Sequence, residues 1–251
     1  MKRALTLVVG LLWTFPALGG APSDPVVVGP DGDVYALDYI DGRVVRVSAD
    51  GTLDEVYSGS LARLSRSMGA EHARKVAFVE SRLILDTRAH EERTAPGLVP
   101  PLTALVGGKP ESVEISGVHK HLFEYSGAAA MGADGTVYRV NLGIDLHRVD
   151  PDGTTHPIPY DDPCAERSGR SIPAFVSGLA VGPEGALYLT DINRRCLLRL
   201  TASGVDKVAD GRFVGVETDA KGTIYAMSYD PEGLVLWRAL PGDALSQWVV
   251  L

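Results

Sequence analysis

Short apolar stretches alternate with polar, glycine-centred dipeptides from Val26 to the C-terminus, and four such stretches align with one another. The first is Val26–Asp38 followed by Gly42–Val47. The second is Ala128–Asn141 followed by Leu146–Val149. The third is Gly178–Asp191 followed by Cys196–Leu200, and the fourth is Gly215–Ser228 followed by Leu234–Arg238. Each begins with a short apolar run of the kind that is buried on both faces. Asp31-Gly32, Asp134-Gly135, Glu184-Gly185 or Lys221-Gly222 then marks a tight turn, where glycine supplies the positive φ of a two-residue hairpin. A second strand carries Tyr35, Tyr138, Tyr188 or Tyr225. A third strand ends on an Arg-containing pair. Asp50-Gly51, Asp152-Gly153 or Ser203-Gly204 turns into a weaker fourth strand, such as Leu53–Tyr57 or Val205–Ala209.

Four antiparallel strands per repeat of about 40–50 residues predict an all-β fold, a β-propeller of four-stranded antiparallel blades. The turn glycines at 32, 135, 185 and 222 lie 103, 50 and 37 residues apart, so one blade is hidden in the first gap. Lys75–Asp86 fits it, without the turn glycine. Five repeats are recognisable. A sixth blade needs strands from Ser60–Ala73 or Glu111–Ser126. The last strand, near Ser246–Leu251, is a candidate to complete a blade with the N-terminal segment, a device that closes a ring of sheets.

The chain start reads differently. Lys2 and Arg3 precede the apolar run Ala4–Leu12, which extends to Leu18 through Pro16, and Ala17-Leu18-Gly19 is a small-x-small cleavage signal. Residues 1–19 are therefore expected to be a signal peptide and residues 20–251 one propeller domain, secreted or periplasmic. The apolar run is shorter than the roughly 20 residues a spanning helix needs, so no membrane insertion is expected after cleavage. The formal charge of −8 removes any electrostatic reason to bind nucleic acid. The two cysteines, Cys164 and Cys196, suit an exported protein joined by one disulfide. Two free thiols or a metal site are the alternatives, and the lack of a nearby histidine argues against zinc.

Residues that recur in register read as scaffold. Asp38, Asp86 and Asp191 close second strands as turn caps. The four repeat tyrosines read as packing between blades. His119 and His121, two apart, face one side if they lie on a strand. Two long irregular stretches, Ala89–Pro101 and Pro157–Pro173, interrupt the repeat where binding loops are expected.

Val176–Asp191 resembles the repeat of NHL proteins and of SMP-30/gluconolactonase-like propellers. In the latter family, the resemblance implies a divalent cation at the mouth of the central channel. It is held by a Glu near the first strand, an Asn before a Gly-Leu strand start and an Asp at another strand start; such oxygen ligands suit Ca²⁺. Here Ser177 precedes Gly178-Leu179, Val214 precedes Gly215, and the acidic candidate near the first strand is Asp24. A cage with Val in place of Asp loses a charge and a ligand together. The expectation is thus a monomeric, non-catalytic propeller that binds a protein, peptide or glycan and has no cofactor. The alternative is a Ca²⁺-dependent lactonase or related hydrolase, with Asp24, Ser126 and Ser177 at the channel mouth.

Overall fold

The computed structural model describes residues 25–38, 41–59, 75–86, 102–123, 127–141, 145–164, 174–230 and 233–251. The expected signal peptide and the Ala89–Pro101 stretch lie outside them. Twenty strands form five four-stranded antiparallel sheets, each built from consecutive strands. Blade A holds β1 (Val26–Val28), β2 (Val34–Asp38), β3 (Arg43–Val47) and β4 (Leu53–Ser58). Blade B holds β5 (Lys75–Val79), β6 (Arg82–Asp86), β7 (Leu102–Val106) and β8 (Lys109–Val113). Blade C holds β9 (Ala129–Met131), β10 (Val137–Asn141), β11 (Asp145–Val149) and β12 (Thr155–Pro157). Blade D holds β13 (Val176–Val181), β14 (Leu187–Asp191), β15 (Cys196–Thr201) and β16 (Gly204–Asp210). Blade E holds β17 (Phe213–Thr218), β18 (Ile224–Asp230), β19 (Gly233–Ala239) and β20 (Ser246–Val250).

Among the described residues the blade count is five, and Ser60–Ala73 lies outside them. The hidden repeat is blade B, and Glu111–Val113 belongs to its fourth strand rather than to a sixth blade. The C-terminal strand β20 pairs with β19 of its own sheet, so among the described residues no strand is shared between the last blade and the first. Side chains close the ring instead. One apolar cluster joins Val26, Ala36 and Val45 of blade A to Val76 and Leu85 of blade B and to Val214, Tyr225 and Leu236 of blade E. Three further clusters join B to C, C to D and D to E. Burial between sheets is the main favourable term in such a ring.

Between blades B and C the seam has an insert. A 3-10 turn, Gly117–Leu122, brings Leu122 and Phe123 into the cluster with Ile84, Leu102, Val137 and Val149. It also carries His119 and His121, which are therefore on a helical turn and not on one face of a strand.

The hairpins refine the expectation from the repeat. Gly29 N–H donates to Asp33 O, and Gly32 N–H donates back to Gly29 O, so the loop is the three residues Pro30-Asp31-Gly32. Gly132–Thr136, Asp219–Thr223, Ser48–Thr52 and Asp150–Thr154 repeat that pattern. A type I turn followed by a left-handed glycine explains why an acidic residue and Gly stand together. Two-residue turns occur in blade B, at Glu80-Ser81 and Gly107-Gly108, all with positive φ. Blade B thus replaces the missing glycine with a non-glycine pair in the left-handed region, an unfavourable conformation for such residues.

Candidate functional site

The propeller has two unlike faces. All first-to-second and third-to-fourth strand connections are turns of two to six residues, and they lie on one face. The second and fourth strands end, and the third and first strands begin, at the opposite face, so the longer intervals between described strands leave from it and return to it. Loops on a rigid scaffold are where binding surfaces are usually built.

The first strands meet the axis on this loop face, and two of them are bulged there. The β13/β14 register shifts between Val176 and Gly178, and the β17/β18 register shifts between Phe213 and Gly215. Ser177 and Val214 are the extra residues. The Ser177 side chain is buried; its hydroxyl lies 3.0 Å from Thr190 Oγ1 and donates to Phe213 O of blade E at 3.2 Å. Val214 is buried in the cluster that seals blades A, B and E. Both side chains are thus committed to blade seams. The glycines beside them explain the close approach: a Cβ on Gly178 would stand 2.7 Å from Gly215 Cα, and one on Gly215 would stand 2.5 Å from Pro25 Cδ. Of the other expected mouth residues, Asp24 and Ser126 lie outside the described residues.

Asp38, Asp86, Asn141 and Asp191 end their second strands on the same face, and Ser228 holds the equivalent position in β18, which runs on to Asp230. Asp38 and Asp191 act as turn caps. Asp38 accepts from Asp41 N–H at 3.1 Å and from Arg43 Nε at 2.9 Å; Asp191 accepts from Arg194 N–H at 2.9 Å and Phe175 N–H at 3.2 Å. Burial raises the Asp191 pKa, against the lowering effect of those two N–H groups and the Arg194 charge. Asp86 faces Lys75 across the β5/β6 register, and both are buried. Lys75 Nζ donates to Leu122 O at 2.8 Å and lies 5.9 Å from the Phe123 ring centroid, which ties blade B to the inserted turn.

The most developed polar corner of this face lies at blade D. Cys164 and Cys196 form a disulfide that fastens the segment before blade D to the start of its third strand. Arg194, in the turn between β14 and β15, pairs with Asp162 of that segment. Asp162 also accepts from Cys164 N–H at 2.7 Å. Tyr160 sits alongside, its pKa pushed up to about 12 by burial first and then by the charges of Asp162 and Asp191. Two clefts of about 340 and 780 Å³ run from this segment toward the turn face, where they meet the β15–β16 turn. The smaller is lined by Tyr138, Arg148, His156 and Leu187; the larger by Tyr160, Asp161, Asp162 and Val205; they share Ile158, Leu200, Thr201 and Ala202.

The sequence pointed to Cys164, Cys196 and Asp191, and to Asp162 only as part of the Pro157–Pro173 stretch, without joining them, and it pointed to neither Arg194 nor Tyr160. The disulfide was the one available signal: it predicts that residue 164 lies beside 196, and so that its neighbours meet the 191–195 turn.

Fold and site together define a five-bladed β-propeller with one loop-bearing face. No protein-family model matches the chain, and no curated protein matches it. Solved structures of similar fold include a gluconolactonase from Xanthomonas campestris, 15% identical with a TM-score of 0.44, aligned over 92% of this chain and 77% of that one. Virginiamycin B lyase from Staphylococcus aureus is 13% identical with a TM-score of 0.42, over 92% and 70% of the two chains. The PQQ-bound aldose sugar dehydrogenase of Streptomyces coelicolor is 15% identical with a TM-score of 0.41, over 91% and 81%. Similarity at this level assigns the chain neither a family nor an activity.

Proposed function

We propose that this protein is an exported, monomeric, non-catalytic β-propeller that binds a protein, peptide or glycan through its loop face, without a metal cofactor. The observation that carries this reading is the fate of the two bulge residues. At the strand starts where the lactonase-like propellers keep Asn and Asp ligands, this chain has Ser177 and Val214, and both side chains are buried in blade seams. A carboxylate set able to hold Ca²⁺ needs several oxygens converging on one point. The disulfide and the concentration of long connections on one face fit a secreted binding scaffold.

Two measurements test the reading. Ca²⁺ should leave the melting temperature unchanged, whereas binding at 100 times its dissociation constant would stabilise by about 2.7 kcal/mol. A Ca²⁺-dependent rise accompanied by lactone hydrolysis would establish the hydrolase instead. Screening the intact mature chain on peptide and glycan arrays should then give binding that is lost on Tyr229→Ala. Tyr229 is 48% exposed at the loop-face end of β18 and is the residue type that anchors interfaces. Leu240→Ala, on the turn face, should leave binding intact.

A further inference from the structure

The disulfide corner of blade D contains a third donor that the spacing of the cysteines does not reveal. The Asp162 carboxylate and the sulfurs of Cys164 and Cys196 all lie within 4.8 Å of one another. We propose that the thiol-reduced protein binds one Zn²⁺ at Asp162, Cys164 and Cys196, so that the disulfide and the metal are mutually exclusive occupants of this corner.

Several features make the site a built one. Both oxygens of Asp162 are already held, one by Cys164 N–H and the other by the Arg194 guanidinium. A ligating carboxylate fixed by such outer partners is oriented before the metal arrives. The sulfurs are buried on the blade core, with Cys164 and Cys196 at 2% and 1% exposure. Two thiolates on a tetrahedral Zn²⁺, with bonds of about 2.3 Å, stand roughly 3.8 Å apart, wider than a disulfide allows. The Cα atoms are 6.8 Å apart, at the wide end of the disulfide range, which leaves room for that spread. Asp162 lines the larger cleft, so water from the carboxylate side can complete the fourth position.

Charge favours the same two end states. With the disulfide in place, Arg194 stands between two carboxylates, paired with Asp162 and 3.9 Å from Asp191. Two thiolates and Zn²⁺ add no net charge to that group, so the two end states carry the same charge. Reduced without metal, the buried sulfurs must stay protonated to avoid isolated charge. The interconversion balances. A thiol reductant gives two electrons and two protons to the disulfide and leaves as its own disulfide. Zn²⁺ then displaces the two thiol protons to solvent.

The test uses the intact mature chain, oxidised or reduced with a phosphine that is then removed without air. Reduced protein should take up one equivalent of Zn²⁺ and oxidised protein none. Co²⁺ in its place should give a thiolate-to-metal charge-transfer band that Cys196→Ser abolishes. Asp162→Asn should weaken Zn²⁺ binding to the reduced protein by at least about tenfold, since even outer partners of a metal contribute that much. Zn²⁺ should also raise the melting temperature of the reduced protein alone. If reduction by itself unfolds the chain, recovery of the native circular-dichroism spectrum on adding Zn²⁺ supports the site. Failure to recover overturns it, as do equal uptake by the oxidised protein or unchanged affinity in Asp162→Asn.

Discussion

Ser81 shows how much a single position can report. It stands with Glu80 in a two-residue turn with φ of 64° and 50°, where the other blades carry a left-handed glycine. Left-handed backbone costs an L-residue about 1–2 kcal/mol, so Ser81→Gly should raise stability by about 1 kcal/mol in a denaturant titration. Gly178 has the opposite character. Its missing Cβ leaves room for Gly215 Cα and Val216 N, both backbone atoms that have nowhere to go. Gly178→Ala should destabilise by about 1–3 kcal/mol, the usual cost of overpacking. Charge at buried carboxylates is readable through pH. Burial raises Asp191, so the folded state holds that proton more tightly than the unfolded chain does. Its contribution is full below the unfolded value of about 3.9 and is lost as pH rises through the folded value. Asp191→Asn cannot lose a proton, so its melting temperature relative to the parent should improve between pH 3 and pH 7. A relative decline over that range would contradict the assignment. Asp50, Asp134 and Asp152 have the other sign: the N–H groups of Thr52, Thr136 and Thr154 lower them, and their support is lost as pH falls.

At the scale of elements, the sheets protect their own outer edges. The fourth strands β4, β16 and β20 each carry one extra residue, Val56, Val208 and Trp248, opposite the same point of the third strand. Such bulges twist an edge away from pairing with another chain. Trp248 has a second role. It packs at 5.6 Å from Tyr225, under the Arg238 guanidinium at 4.5 Å, while Arg238 also donates to Ala49 O of blade A. This is the side-chain latch that stands where a shared strand would otherwise close the ring. Trp248→Ala should cost about 2 kcal/mol, and hydrogen exchange should rise first in blades A and E. The disulfide ties Cys164, before blade D, to Cys196 at the start of β15, a separation of 32 residues. Replacing both cysteines by Ser should cost about 4 kcal/mol and lower the melting temperature by roughly 10 °C, by the loop-entropy relation.

For the whole molecule, the main architectural division is between a turn face and the face opposite it. It follows from antiparallel sheets whose strands run inner to outer in order: odd connections must lie on one side and even ones on the other. The repeat made this legible early, because glycine-containing turns recur in phase and the interruptions recur out of phase with them. Blade B was readable only through Lys75–Asp86, since its third and fourth strands follow a 15-residue interval and lack the repeat's markers. The seams were less legible. Nothing in the spacing of Gly117–Leu122 says that this segment fills the gap between blades B and C, because its apolar residues follow no strand period.

Period and turn chemistry are local, and the chain by itself determined what depends on them: strand order within each repeat, the positions of the hairpins, the identity of Asp38 and Asp191 as caps, and the pairing of Cys164 with Cys196. Tertiary structure alone decided how the repeats meet. It set the count at five and kept β20 in its own blade. It turned Ser177 and Val214 into seam residues at bulges, and it brought Asp162, Arg194 and Tyr160 to the disulfide. These depend on packing between segments distant in sequence, where a register shift of one residue reverses which side of a strand is buried.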